Sequence, residues 1–241
     1  MMRRGRSSSQ VMKYRGVIFD FNGVLLCDAG FQIEAWQQVA GQLRGREMSE
    51  EELALHMHGR PNSYVLSYLT GRQIAGSELL KLIQAKEALY RGLCLKNPDG
   101  LQLSPGAREL LDTLVARSIP RTIATSSEKT NLDFFVKGLE LERWFHIPQI
   151  VYDDGSRPGK PAPDMYLAAA HNIRLPPKEC IVVEDAVSGL QAARAAGIGY
   201  LIGIGAPEAQ ARLRACEGIS AVIESLRQFP RERLASPAAA G

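Results

Sequence analysis

Five short apolar runs alternate with amphipathic helical patterns along this chain, and that alternation leaves few folds open to it. The runs are Gly16–Phe21, Arg121–Thr125, Gln149–Val151, Cys180–Glu184 and Gly199–Ile204. Helical periodicity falls at Gly106–Ser118, Lys129–Leu139, Asp164–Asn172, Ala186–Ala196 and Ala206–Ala215. Val17-Ile-Phe19 is apolar at successive positions, so a strand built from it is buried on both faces. Leu110, Leu111, Leu114 and Val115 give the first of these helices a core-facing stripe. Strands alternating with helices form βαβ units, so the predicted fold class is α/β: a Rossmann-like, doubly wound parallel sheet.

One region breaks the alternation. From Gly30 to Asn97 no strand pattern occurs, and the sequence predicts helices over Phe31–Leu43, Ser49–His56, Ser63–Leu69 and Ser77–Gly92. Ser49 followed by Glu52 is a capping-box start, and the Ser104-Pro105 pair precedes the next sheet-packing helix. A helical module inserted after the first strand is expected to act as a cap that closes over a site and excludes water. The predicted organisation is a leader over 1–13, an α/β core from 14–29 and 98–230, the cap over 30–97, and a loose tail over 231–241.

Composition narrows the function. The chain has 241 residues with 45% hydrophobic, enough for a sizeable core, and a net charge of +3, too small to argue for nucleic acid or an acidic membrane surface. Much of the basic excess lies at Arg3, Arg4, Arg6, Lys13 and Arg15, a start without the apolar segment of a signal peptide. No apolar run approaches the roughly 20 residues of a membrane span. Cys27, Cys94, Cys180 and Cys216 are scattered without a CxxC pair, as expected of reduced thiols in a cytoplasmic protein. The four histidines are scattered too; His56 and His58 would not share a helix face, so a zinc site is not expected.

The chemistry gathers where the apolar runs end. Asp20 closes the first, Thr125-Ser126-Ser127 the second, and Glu184-Asp185 the fourth; Gly159-Lys160-Pro-Ala-Pro163 carries one lysine into a helix. In a parallel sheet these ends share one edge. Three acids, one cation and hydroxyls suit a phosphate together with a divalent ion, and hard oxygen ligands favour Mg²⁺. Each residue also has a plainer reading. Asp20 could cap a strand end, Lys160 could be solvated, Thr125 could cap a helix, and Glu184-Asp185 could serve as an N-cap pair. Asp153-Asp154 is expected to form a solvated turn, and Phe31 and Trp36 to pack in the cap. Arg60 and Asn62 are candidates for either substrate contact or plain surface.

With Asp20-Phe-Asn22-Gly23, Thr125-Ser126, Gly159-Lys160-Pro-Ala-Pro163-Asp164 and Glu184-Asp185 in this order around a helical insertion, the chain resembles the haloacid dehalogenase superfamily over roughly Tyr14 to Glu224. Within it the chain is similar to the β-phosphoglucomutase-like and phosphoglycolate phosphatase-like members with a cap after the first strand. The resemblance implies that Asp20 attacks phosphorus and that Thr125, Ser126 and Lys160 hold phosphoryl oxygens. It implies that Asp20, the backbone carbonyl of Asn22, and Asp185 bind Mg²⁺ with Glu184 in support. Arg60, Asn62 and Ser127 fall where substrate contacts occur. The expected partner is a small phosphorylated metabolite.

Asn22 departs from the pattern. Relatives carry an aspartate there that protonates the leaving oxygen, and an amide has no titratable proton. The expectation is a phosphohydrolase slowed on alkyl phosphates. A β-phosphoglucomutase-like phosphotransferase and a phosphometabolite-binding protein remain the alternatives. Gln32 stands where mutases have a histidine, Asn62 near their cap arginine, and Glu128 where they have a lysine. Dehalogenase chemistry would leave Glu184-Asp185 without a role, and neither Lys81 nor Lys86 is marked as the Schiff-base lysine of a phosphonatase.

Overall fold

The computed structural model describes residues 12–57, 60–97 and 99–235. His58, Gly59, most of the expected leader and the end of the tail from Ser236 lie outside them. Six strands form one parallel sheet: β1 (Gly16–Phe19), β2 (Arg121–Glu128), β3 (Val151–Asp153), β4 (Cys180–Glu184), β5 (Tyr200–Ile204) and β6 (Ala221–Ile223). Their spatial order is β3-β2-β1-β4-β5-β6. β1 is central, with Val17 paired to Arg121 on one side and Ile181 on the other. All four of its residues are buried, which accounts for the unbroken apolar run. Burial of Val17, Ile18 and Phe19 is worth roughly 1.5–3 kcal/mol each.

The strand order reverses between β1 and β4. Strands proceed outward through β2 and β3 on one side, then restart at β4 on the other. Such a switch point opens a crevice at the carboxyl ends of the strands, and the Asp20 and Glu184-Asp185 segments emerge there. Helices α5 (Ala107–Ala116) and α6 (Lys129–Leu139) cover one face, packing Leu110, Leu111, Leu114 and Phe135 on Val17, Phe19 and Val183. Helices α7 (Asp164–Asn172), α8 (Val187–Ala195) and α9 (Pro207–Arg214) cover the other, with Tyr166, Ala169 and Ala193 on Ile18 and Val182.

The insertion between β1 and β2 holds α1 (Ala29–Arg44), α2 (Glu50–His56), α3 (Asn62–Thr70) and α4 (Gly76–Lys96). Trp36, Val39, Met48, Val65, Leu66 and Leu69 give it an apolar cluster of its own, while Ala35, Tyr90 and Cys94 join the sheet core. The Ser49–Glu52 capping box forms in both directions. Around the Asn97–Gly100 turn, the Gly100 N–H donates to the Asn97 carbonyl at 3.0 Å. Among the described residues no helix is long and apolar enough to cross a membrane.

Several expected boundaries move. β1 stops at Phe19, because the Phe21 carbonyl turns to accept from Val24, Leu25 and Leu26. β2 runs on to Glu128, with a register shift against β3 between Ala124 and Glu128. Ile147–Gln149 forms a 3₁₀ turn containing Pro148, which displaces β3 to Val151–Asp153. β6 was not expected, since three residues are too short a run to signal a strand. The expected tail also begins too early: Tyr14 bridges to Leu234, which is 1% exposed, so ordered packing continues to Ala235.

Candidate active site

Asp20 leaves β1 still held to the sheet, its N–H donating to the Val183 carbonyl at 2.9 Å. Lys160, on the loop before α7, reaches back across the edge. Its Nζ lies 2.6 Å from Asp20 Oδ1 and 2.8 Å from Glu184 Oε2, and donates to the Ala124 carbonyl at 3.4 Å. Glu184 is buried with both oxygens engaged: Oε2 also accepts from the Tyr166 hydroxyl, and Oε1 from the Ala186 N–H at 3.1 Å. Glu184 therefore anchors Lys160, and it braces the start of α8 without being its N-cap, which is Ala186. Thr125 is buried within β2, and its Oγ1 accepts the Ser127 N–H at 3.1 Å. It lies on a strand, so the helix-cap reading does not hold. The register shift there turns the Thr125–Ser127 segment toward the crevice, as bulges re-aim side chains.

Three carboxylates face one ammonium. Asp20, Glu184 and Asp185 can bring one oxygen each within 4.8 Å of one another. Burial, reinforced by the Glu184 charge and opposed by Lys160, pushes the Asp20 carboxyl up to about 7. Burial and the charges of Glu184 and Asp20 also hold Asp185 well above the usual carboxylate range. Burial works against the Lys160 ammonium, yet Asp20 and Glu184 outweigh it and hold its pKa well above that of an ordinary lysine. The surplus of negative charge and the all-oxygen donor set fit a hard divalent cation.

Glycines set this spacing. Gly23 adopts φ +76°, and an added Cβ would overlap Asp185 Oδ2; one on Gly189 would overlap the Glu184 carboxylate. Gly23→Ala is accordingly expected to displace Asp185 and raise the Mg²⁺ concentration needed for half-maximal activity at least about tenfold, a cost of ~1.4 kcal/mol. A Mg²⁺ titration of phosphate release checks this; an unchanged midpoint would remove the glycine from the metal argument.

Asn22 sits in a network that sequence reasoning missed. Its Nδ2 donates to Asp28 Oδ2 at 2.7 Å, and its Oδ1 accepts from Ser127 Oγ at 2.8 Å. Asp28 is 1% exposed and also accepts from the Tyr90 hydroxyl (2.7 Å), Gln32 Nε2 (3.2 Å) and the Gly23 N–H (3.1 Å). It stands at the N-cap of α1 without capping it; the carboxylate turns back to the strand-end loop instead. Burial and the Asp28 charge drive the Tyr90 phenol far upward, so it stays a donor. Gln32 Oε1 accepts from Lys86 Nζ at 2.6 Å, and Lys86 pairs with Glu87 at 3.0 Å.

Of these groups, Asp20, Asn22, Gly23, Asp28, Gln32, Lys86, Glu87, Thr125, Lys160, Glu184 and Asp185 line one cavity of about 520 Å³ between sheet edge and insertion, together with Arg60, Asn62, Ser126 and Ser127. Arg60 is exposed and stacks over the Tyr64 ring at 4.8 Å. Asn62 donates to Glu87 at 2.8 Å. Trp36, expected only as core, is buried yet lines the cavity. Asp153 and Asp154 make the expected turn, accepting from Gly155 and Ser156, and also reach the cavity rim. Lys81 is exposed and not among the lining residues.

An α/β sheet presenting acids, a lysine and hydroxyls at its switch point beneath a helical insertion defines a class of phosphoryl-handling enzymes. A family model described as haloacid dehalogenase-like hydrolase matches residues 14–197, and the chain belongs to that family. Hexitol phosphatase A of Escherichia coli (strain K12) is 30% identical over 90% of this chain and 94% of its own. The β-phosphoglucomutase of Bacillus subtilis (strain 168) is 29% identical over 79% of this chain and 83% of its own. Among solved structures, a family IA, variant 3 hydrolase from Entamoeba histolytica HM-1:IMSS superposes with a TM-score of 0.85 at 34% identity, covering 91% of this chain and 96% of the other. The expectation of a phosphatase-type hydrolase agrees with the family model and with the relative named a phosphatase.

Proposed function

We propose that the chain is a Mg²⁺-dependent phosphohydrolase acting on a small phosphorylated metabolite, a sugar phosphate or similar, through a phosphoryl group carried on Asp20. The observation that carries this is the Asp20–Lys160–Glu184 contact at the switch point, with Asp185 beside it. Lys160 holds one Asp20 oxygen and leaves the other to attack phosphorus. As that O–P bond forms, the bond from phosphorus to the leaving oxygen breaks, and the alkoxide takes a proton from water, since Asn22 has none to give. A second water then attacks phosphorus and gives one proton to the hydroxide that the first water became. The bond from phosphorus to Asp20 breaks, the carboxylate returns, and phosphate leaves with the water's hydroxyl oxygen. Thr125, Ser126 and Lys160 steady the phosphoryl oxygens. Mg²⁺, held by Asp20, Asp185 and the Asn22 carbonyl with Glu184 in support, would neutralise phosphate charge. The relative named a hexitol phosphatase supports the sugar-phosphate reading.

A panel of phosphorylated metabolites tests the proposal. Phosphate release is expected with Mg²⁺ and abolished by EDTA; activity indifferent to EDTA overturns the metal assignment. Isomerisation of a sugar phosphate in place of phosphate release would establish the phosphotransferase alternative.

A further inference from the structure

Tyr166 is a buried phenol that takes no part in bond making. It lies on α7, is fully buried and is not among the residues that line the cavity. Its ring packs in an apolar cluster with Met165, Ala169 and Leu190, for which a phenylalanine ring would serve. Its hydroxyl instead donates to Glu184 Oε2, the same oxygen that takes Lys160 Nζ at 2.8 Å. The ring meets Lys160 as well, with the ammonium 5.1 Å from its centroid. Burial and the Glu184 charge hold the phenol well above its ordinary range, so it keeps its proton and donates.

Lys160 has three N–H groups, and each has an acceptor: Asp20 Oδ1 at 2.6 Å, Glu184 Oε2 at 2.8 Å and the Ala124 carbonyl at 3.4 Å. Two carboxylates therefore compete for one ammonium. While Asp20 is charged, it balances Glu184. Once the bond from Asp20 to phosphorus has formed and the leaving oxygen has gone, the Asp20 carboxyl carries no charge of its own. Glu184 then draws the ammonium away from the phosphoryl oxygens. A carboxylate oxygen that accepts from a hydroxyl is already stabilised as an anion, so it pulls less on a second donor. Oε1 of Glu184 is engaged separately, by the Ala186 N–H at 3.1 Å. Tyr166 is thus the donor that shares an oxygen with Lys160.

We propose that Tyr166 is a positioning residue: by donating to Glu184 it keeps Lys160 on the phosphoryl side of the site while Asp20 carries the phosphoryl group. The step it serves is breakdown of the phosphorylated protein. No bond to Tyr166 forms or breaks, and its proton stays on the phenol oxygen. This rests on the phosphohydrolase reading above.

The test uses acetyl phosphate radiolabelled at phosphorus, with Mg²⁺ and an acid quench. Two rates are read: formation of the phosphorylated protein on mixing, and its decay after a chase of unlabelled acetyl phosphate. In Tyr166→Phe decay is expected to slow about tenfold, the scale of one hydrogen bond to a charged group, while formation slows by less than about threefold. In step with this, kcat should fall with the decay rate, and kcat/KM, which reports the steps up to phosphorylation, should change little. A merely structural role would slow both rates alike or shrink only the amount phosphorylated. Phenylalanine keeps the ring, and Glu184 Oε2 keeps Lys160, so the variant is expected to fold, which thermal unfolding checks. If it does not fold, a ring-fluorinated tyrosine at position 166, a stronger donor of nearly the same shape, should speed decay; decay no faster than in the unaltered protein then overturns the proposal. Unchanged decay in folded Tyr166→Phe, or both rates slowed alike, overturns the positioning role and leaves the phosphohydrolase reading standing. Absence of both phosphate release and a trapped phosphoryl group in the unaltered protein overturns that reading, and this role with it.

Discussion

Asp20→Asn is expected to stop phosphate release, with a loss on the order of 10⁴-fold or more, the scale seen when a covalent nucleophile is removed. The substitution keeps shape and removes only the attacking charge. It should not unfold the chain, because Lys160 retains Glu184 at 2.8 Å and is not left as an unpaired buried cation. It also removes one of the acidic charges that, added to burial, lift Asp185 above its ordinary range. Thermal unfolding at neutral pH is therefore expected to be unchanged or slightly raised. The companion measurement is covalent. The unaltered protein, quenched in acid during turnover, should carry a phosphoryl group on the peptide holding Asp20, and the variant should not. Turnover within a factor of ten of the unaltered protein would show that another group attacks phosphorus. Ligand binding that survives Asp20→Asn, together with no phosphate release by the unaltered protein, would favour the binding-protein alternative.

Asn22→Asp is expected to raise turnover on an alkyl phosphate by ~10²-fold or more, since general acid–base catalysis is typically worth ~10²–10⁴. Acetyl phosphate has a good leaving group and should gain less. The structure adds a condition. The new carboxylate would stand where Asn22 Nδ2 now meets Asp28 Oδ2 at 2.7 Å. Two carboxylates that close cannot both ionise, so the pair keeps one proton, which is the proton the leaving oxygen needs. The same repulsion lowers stability as pH rises through the raised pKa of the pair, because the folded state must then hold both charges. The double variant Asn22→Asp, Asp28→Asn keeps one carboxylate with an amide partner and should recover that stability. Rates on a sugar phosphate, measured beside thermal unfolding across pH, decide the matter. If Asn22→Asp is no faster than the unaltered protein, the missing proton donor does not limit the reaction.

The residues that the sequence brought forward share a physical signature. Asp20, Thr125 and Glu184 each end a buried apolar run, and Lys160 sits between prolines and glycine before a helix. A charge in such a place is costly without a partner, so the runs themselves marked the acids as special. Asp28, Tyr90, Lys86, Glu87 and Tyr166 carry no such mark. Four of them lie on amphipathic helices or at a helix start, where a polar residue usually faces water, and Tyr166 lies within the helical pattern Asp164–Asn172. Their roles depend on rotation about the helix axis and on contacts 62, 54 and 18 residues away in the chain, as for Tyr90–Asp28, Lys86–Gln32 and Tyr166–Glu184. The missed β6 and the longer β2 have a related cause. Edge pairing and a register shift depend on the neighbouring strand, which local periodicity does not contain.

By itself, then, the order of apolar runs and helical patterns determined a parallel sheet with a helical insertion after its first strand. It determined as well that Asp20, Lys160 and Glu184-Asp185 would meet at one edge, because all parallel strands end on the same side. Only the tertiary structure decided how the insertion meets that edge. Asp28 turns away from its helix to hold Asn22, and Lys86 and Glu87 are buried as a neutral pair on the cavity wall. Burial and pairing are properties of surfaces brought together, and a side chain's neighbours across a cavity follow from packing, which no local pattern of residues encodes.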